Sequence, residues 1–453
     1  MIKIYSPKFH QSIKDKVVGQ YLDLIKDIRS EIKTGLTSTY LSNNFLEDFK
    51  NIIFDKNLDT YSSLKFYWTG LLNDLIYIVE LHEEAEESSL VEEEIFSFWE
   101  NSDFAEAFFA LLDEGRAISD VSTSFITILE NQILSYYHLH IGESETNTPL
   151  LYTIFPEIGD SKARIYLTDA HKFCAPPGIP DSFPSFSLNA ITPTEISFNM
   201  GNEVVTKSIQ TQNLNIEDDL YLLPNSAKGI ENFDKFKKDI TRALNLIKEH
   251  SPNSYNTFKS FTHSIVPIDE PGVVSFSMQT LPGYSSINMF DRDFIDLMDD
   301  LLHENGHHFL NTFLNFTDLL KEDDDKIYYS PWRKALRPVR GIYHACFTFF
   351  WALNLFGDLL DVDLPLSNDE KEKIKIRFIE EYYMLSYCYP DLEHSFKNGK
   401  INPDGMELIN QIYKRIKSLE EKVAEVLNSI EDKSGLITLQ ADLESKRKKY
   451  ELK

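Results

Sequence analysis

LLHENGHHFLNTFLN, residues Leu301–Asn315, decides how the rest of the chain is read. His303, Glu304 and His307 stand in it as H-E-x-x-H. Positions i and i+4 share one face of a helix, so both imidazoles can grip one metal ion. Asp299, Asp300, Leu301 and Leu302 precede the motif, and Phe309, Leu310 and Phe313 follow it. That apolar spacing predicts a buried helix that turns a polar patch into a cleft. A solvated helix with two surface histidines is the blander reading, but the flanks read as core.

Just upstream, Gly272–Gln279 and Tyr284–Phe290 alternate apolar and polar residues around Leu281-Pro282-Gly283. They predict neighbouring strands joined by a turn, with an edge able to take an extended peptide through main-chain hydrogen bonds. Downstream lie an acidic break at Lys321–Lys326 and a Pro-interrupted, irregular stretch at Tyr328–Gly341. A second buried helix, Ile342–Leu360, carries His344.

Residues 8–140 read as several helices, and Ser88–Glu94 reads as a helix start. His138 and His140 alternate, which suits ordinary histidines at a turn or strand edge better than ligands on a helix. Short β-rich runs follow at Leu151–Phe155, Ala163–Leu167, Ile191–Phe198 and Leu220–Leu223, interrupted by the Pro-rich loop Ala175–Pro184. Asn232–His250 has helical periodicity, as does Ser367–Tyr389 behind a Ser/Asn cap. Met406–Ile430 places Ile409, Ile412, Ile416, Leu419, Val423 and Leu427 near heptad spacing. A long helix packed on the body explains this stripe with fewer heptads than a coiled coil needs. The expected fold is α+β and mainly helical. It has a zincin-like core (a small antiparallel sheet, the H-E-x-x-H helix and a second metal-bearing helix) with helical regions on both sides. The expected divisions are 1–140, 141–365 and 366–453.

The 453 residues are 42% hydrophobic and 26% charged, as in a globular protein. A net charge of −27 argues against nonspecific nucleic-acid binding and against docking on an anionic membrane. Cys174, Cys346 and Cys388 are few, odd in number and widely spaced, which fits a reducing compartment. The N-terminal residues lack the apolar segment of a signal peptide, and the longest apolar run, Ala345–Phe356, is too short to span a bilayer. These features predict a cytoplasmic protein.

A metal held by His303 and His307 needs another protein ligand. The extended pattern H-E-x-x-H-x-x-G-x-x-H would need Gly at 310 and His at 313, where this chain has Leu310 and Phe313. Between Glu304 and Glu370 the only glutamate is Glu322, in the acidic break. Asp318 lies too near the same helix, and Asp358 lies four turns past His344. Aspartates also stand at Asp361 and Asp363. His308 faces about 100° away from its neighbour and is expected to pack or hydrogen-bond. His344 remains the favoured third ligand over a satisfied core histidine.

Arg333, Arg337 and Arg340 lead directly into His344 as RKALRPVRGIYH. A guanidinium beside a metal site suits a bidentate grip on a carboxylate. A zinc peptidase has modest use for two of them. An iron enzyme with a dicarboxylate cosubstrate has a direct use.

The stretch from about Val273 to Phe356 resembles the H-E-x-x-H peptide-modification family found near precursors of ribosomally made, post-translationally modified peptides. The resemblance rests on LPGYSSINMF, on LLHENGHHFL, and on Trp332, Arg337, Pro338, Arg340, Gly341 and His344 in W-x-x-x-x-R-P-x-R-G-x-x-H. It implies an Fe(II)- and 2-oxoglutarate-dependent peptide β-hydroxylase. His303, His307 and His344 would then bind Fe(II), and Arg337 or Arg340 would hold the far carboxylate of 2-oxoglutarate. O₂ and a precursor peptide would be the other reactants, and Glu304 would orient a ligand or water. Two alternatives compete. One is a zinc peptidase with Glu304 as general base, completed by His344 or an aspartate. The other is a non-catalytic, metal-containing peptide-binding protein with a closed four-ligand site.

Overall fold

A computed structural model describes residues 3–34, 39–59, 63–85, 91–102, 105–137 and 231–450 except 270, 278–282, 291 and 322–324. Between residues 157 and 229 it describes Gly229 and the short segments that form β1 to β8. The described elements are mainly helical with a small mixed sheet, an α+β composition. They fall into two compact units, Val18–Phe233 and a discontinuous one of Met1–Val17 with Asp234–Lys453. No helix among the described residues is long and apolar enough to cross a membrane.

In the unit Val18–Phe233, most of α1 (Pro7–Thr34) is followed by α2 (Asn43–Ile52), α3 (Ser63–Ala85), α4 (Val91–Glu100), α5 (Ala105–Asp113) and α6 (Ile118–Tyr137). Trp68, Trp99, Phe108 and Phe125 are fully buried and hold these helices together. The Trp68 indole donates to the Ile133 carbonyl at 3.0 Å, which satisfies its one polar atom inside the core. Four antiparallel pairs follow: β1 (Glu157–Ile158) with β2 (Ser161–Lys162), β3 (Tyr166–Thr168) with β4 (Lys172–Cys174), β5 (Phe186–Thr192) with β6 (Glu195–Met200), and β7 (Asn215–Glu217) with β8 (Leu220–Leu222). The run Ile191–Phe198 is therefore two strands and not one. β5 ends at Thr192 and β6 begins at Glu195. His138, His140, the run Leu151–Phe155 and the loop Ala175–Pro184 lie outside the described residues.

The other unit contains the motifs. After α7 (Phe233–His250) and α8 (Pro252–Phe261) come β9 (Ser264–Ile268), β10 (Phe276–Ser277) and β11 (Tyr284–Asn288), side by side in the order β10-β11-β9. The expected antiparallel pair is present between β10 and β11, but β11 runs parallel to β9, so the sheet is mixed. Gly283 enters β11 at φ +90°, where a Cβ would meet the Phe261 carbonyl at 3.2 Å. Only glycine suits that backbone without strain.

α9 (Phe294–Leu314) carries H-E-x-x-H, and the Asp293 carboxylate caps it by accepting from the N–H groups of Ile295 and Asp296. The stretch after it is less irregular than its prolines suggest. β12 (Tyr328–Ser330) and β13 (Ala335–Arg337) form a hairpin whose turn puts Lys334 at φ +50°. α10 (Val339–Leu359) carries His344, and α11 (Asn368–Lys397) starts with a capping box between Ser367 and Glu370.

The stripe after Met406 is two helices, α12 (Pro403–Ser418) and α13 (Glu420–Ser429), broken at Leu419. Met406, Ile409, Ile412, Ile416, Leu419 and Val423 are buried, so the stripe belongs to the body of this unit. α14 (Ser434–Lys449) closes the described chain, and Arg447 anchors it to α11 through Asp391 and the Tyr387 carbonyl. Cys346 and Cys388 are buried and carry no disulfide.

Candidate metal centre and its flanking cavities

α9 and α10 approach closely because Gly306, inside the motif, has no side chain. A Cβ there would lie 2.9 Å from the Trp351 ring and 3.1 Å from the Thr348 Cα. The seam continues through Phe309, whose ring meets Phe347 edge-on at 5.2 Å. This contact sets His344 beside the two motif histidines. The ring centroids of His303 and His307 are 5.0 Å apart, and those of His307 and His344 are 5.9 Å apart. Of the three sequence-predicted ligands, His307 thus neighbours both of the others.

Two imidazoles sharing one ion through nitrogens about 2.1 Å from it place their ring centres about 5 Å apart. The first pair matches that separation; the second is about 1 Å wider. Among the described residues no three His, Cys, Asp or Glu side chains converge to enclose an ion as they stand. The donor chemistry nonetheless suits a metal. His303 Nδ1 and His344 Nε2 are buried without a hydrogen-bond partner. Burial also pushes all three imidazoles toward the neutral, ligating form. The His307 pKa falls to about 4 through desolvation and then the Arg333 charge. That of His344 falls to about 3 through desolvation, His307 and Arg340. His303 is pushed well below the ordinary range by desolvation, with His307, Arg333 and Arg377 adding to it.

The competing ligands are engaged elsewhere. Asp358 accepts from Ser251 at 2.6 Å and pairs with Arg415 at 3.1 Å. Asp361 pairs with Lys422, and Asp363 pairs with Lys371 at 2.8 Å. Glu322 lies outside the described residues. His308 turns away from these histidines to Ser285, with its Nε2 2.9 Å from the hydroxyl.

A cavity of about 340 Å³ opens over the histidines and is lined by His303, His307 and His344 together with Arg333, Arg337 and Arg340. No carboxylate lines it among the described residues. Gly341 gives Arg337 its place, because a Cβ there would lie 3.3 Å from the guanidine Nε.

Glu304 belongs to a second cavity of about 710 Å³, which shares His303, Trp332, Arg333 and Phe349 with the first. Its carboxyl is buried, and desolvation raises its pKa to about 8 against the lowering effect of a hydrogen bond from Ser277. At neutral pH it holds a proton, the wrong state for a general base without a cation beside it.

The partition between the cavities is aromatic. Trp332 stacks flat on Phe349 at 4.5 Å, and Phe349 meets His303 edge-on at 4.4 Å. The Trp332 indole donates to Glu381 at 2.9 Å, and Glu381 also faces Arg377 at 3.5 Å. Arg377 in turn bonds Asp299. Phe349, Glu381, Arg377 and the role of Gly306 were not recognised from sequence. An Asn-Gly pair between the motif histidines was the one visible signal, since glycine inside a helix costs about 1 kcal/mol unless packing needs it. No family model matches this chain, and no curated protein matches it.

Proposed function

We propose that the chain is an Fe(II)- and 2-oxoglutarate-dependent enzyme that hydroxylates a side-chain β-carbon in a ribosomally made precursor peptide in the cytoplasm. The observation that carries this reading is one cavity lined by three neutral histidines and three arginines, with no carboxylate among the described residues that line it. Its volume lies within the range of about 300–1,000 Å³ typical of small-molecule sites. The sheet, α9 and α10 serve as the zincin-like core of this reading.

His303, His307 and His344 would hold the iron. Bound there with 2-oxoglutarate, the metal supplies the O₂ activation that removes a hydrogen from an unreactive carbon. The residues of the chain do the rest. Arg337 and Arg340 offer planar donors to the far carboxylate of 2-oxoglutarate. Trp332 and Phe349 wall the site and fix His303 from the side. Glu304, buried and protonated, orients a neighbour and does not abstract a proton.

A zinc peptidase is the second reading, kept because Glu304 lies next to His303 and an adjacent cation would restore its negative charge. The deciding experiment uses anaerobically prepared protein given Fe(II) or Zn(II), 2-oxoglutarate and short peptides encoded beside its gene. O₂-dependent succinate formation with a peptide gaining 16 Da supports the hydroxylase. Cleavage of a peptide by the zinc-loaded protein without O₂ overturns it.

A further inference from the structure

The hairpin of β12 and β13 carries more of the site than it can hold in place by itself. Its turn bears Trp332 and Arg333, and both line the cavity over the histidines. Two paired strands of three residues are marginal alone, and β13 is exposed at Ala335 and Arg337. The turn also holds Lys334 in the left-handed region, at φ +50°. A contact from outside the hairpin has to fix the turn.

That contact comes from Glu381 on α11. Its carboxyl is fully buried, and Oε2 accepts from the Trp332 indole at 2.9 Å. Arg377, one helical turn earlier, faces Glu381 at 3.5 Å and bonds Asp299 on α9. Asp299 precedes His303 by four positions, so the two share one face of α9. The series Asp299, Arg377, Glu381, Trp332 therefore ties the turn of the hairpin to the helix that bears the motif. On its other side the Trp332 ring lies flat on Phe349, which meets His303 edge-on. Desolvation raises the Glu381 pKa against the charge of Arg377, and either protonation state leaves an oxygen lone pair for the indole.

The residue that this anchor places is Arg333, next to Trp332. Beyond desolvation, its charge disfavours the charged forms of His303 and His307, whereas that of Arg340 acts on His344. A dication on those imidazoles and the Arg333 cation repel each other unless an anion lies between them. Arg337 needs no such anchor, because α10 follows it directly and Gly341 leaves room for its side chain. We propose that Glu381 is a positioning residue that acts through Trp332 to hold the Arg333 guanidinium over the histidine cavity, as a third grip beside Arg337 and Arg340 on a dianionic ligand. The inference rests on the reading above for the identity of that ligand, 2-oxoglutarate.

Calorimetric titration of Zn(II)-loaded full-length protein with 2-oxoglutarate tests this without turnover. Glu381→Leu should weaken binding at least about tenfold and leave the Zn(II) content unchanged, because one charge-assisted contact is lost. Glu381→Gln keeps an acceptor for the indole and should recover most of that loss. Trp332→Phe keeps an aromatic ring against Phe349 without the N–H, and should match Glu381→Leu and carry the test if that variant misfolds. Arg333→Ala should also match it, and combining the two should cost no more than either alone. Combination with Arg340→Ala should be additive. In chelator-treated protein labelled with fluorotryptophan, the fluorine NMR line missing from Trp332→Phe should move in Glu381→Leu and stay in place in Glu381→Gln. An unmoved line in Glu381→Leu overturns the proposal. So do parent-like affinity in folded Glu381→Leu or Trp332→Phe, an equal loss in Glu381→Gln, and an additive loss with Arg333→Ala. A parent that does not bind 2-oxoglutarate overturns both this proposal and the hydroxylase reading. Binding without succinate formation by the iron-loaded protein overturns the hydroxylase reading alone.

Discussion

The two cavities on either side of Trp332 and Phe349 share four lining residues and differ in almost everything else. Among the described residues, one has imidazoles and guanidinium groups and no carboxylate, and the other has five carboxyl groups. Burial shifts both sets of titratable groups, in opposite directions on the pH scale. It drives the histidines down and the carboxyls up, in each case toward the uncharged form. A buried carboxyl held neutral still offers hydrogen-bonding oxygens, and a buried imidazole held neutral offers a lone pair. The same desolvation therefore leaves free lone pairs on one side and carboxyl groups pushed toward the uncharged form on the other.

The sharpest way to break this comparison is to remove the histidine that neighbours both of the others. His307→Ala should lower Fe(II) or Zn(II) affinity by more than about 100-fold, because losing a ligand exceeds the effect of losing a supporting group. Metal content after dialysis reads it directly. Asp300→Asn on the other side should leave metal content unchanged. If both variants retain full metal, the histidines are not a metal site.

Two glycines test how the first cavity is built. Gly306→Ala brings a Cβ against Trp351 and the backbone of Thr348, which cannot yield as a flexible side chain does. Overpacking of this kind costs about 1–3 kcal/mol, offset by up to about 1 kcal/mol of helix propensity. A net loss of about 1–2 kcal/mol in urea unfolding is expected. Gly341→Ala meets only the Arg337 side chain, so it should leave stability within about 0.5 kcal/mol of the parent and instead weaken 2-oxoglutarate binding. Arg337→Ala should raise the 2-oxoglutarate concentration for half-saturation by about 10- to 100-fold, the worth of a charge-assisted pair. Unchanged half-saturation in Arg337→Ala and in the matching Arg340→Ala would leave the arginines without a role in cosubstrate binding.

The first cavity was more legible in the sequence than the second, for a physical reason. His303, His307 and the arginines are set by periodicity and by a short chain segment, so spacing alone brings them near one another. The Ser367 cap and the α7 register are likewise local. The acidic cavity is assembled from segments that only tertiary packing joins, with Asp300 on α9, Glu380 on α11 and Asp442 on α14. Nothing in the spacing of Arg377 and Asp299 announces their pairing across 78 residues. The hairpin of β12 and β13 escaped notice because Pro331 and Pro338 suggest irregularity, although neither proline lies within a strand.

The smallest expected effect separates the two cavities by proton linkage in chelator-treated protein. The His307 and His344 pKa values are depressed from 6.5 to about 4 and about 3. Below pH 6.5 the unfolded chain therefore takes up protons that the folded chain refuses. Their contribution to stability is present above pH 6.5 and is lost as pH falls toward 4 and 3. Asp300 and Glu304 are raised to about 6 and about 8. Their contribution is present below the ordinary carboxyl range and is lost as pH rises through those values. The two sides thus pull stability in opposite directions between about pH 4 and 6.5, each group with a slope below about 1.4 kcal/mol per pH unit. Relative to the parent, Asp300→Asn should remove a declining contribution that ends near pH 6, whereas His344→Gln should remove a rising contribution that ends near pH 6.5, both read from urea-unfolding midpoints. Identical pH profiles for the two variants would mean that burial does not shift the two linings in opposite directions.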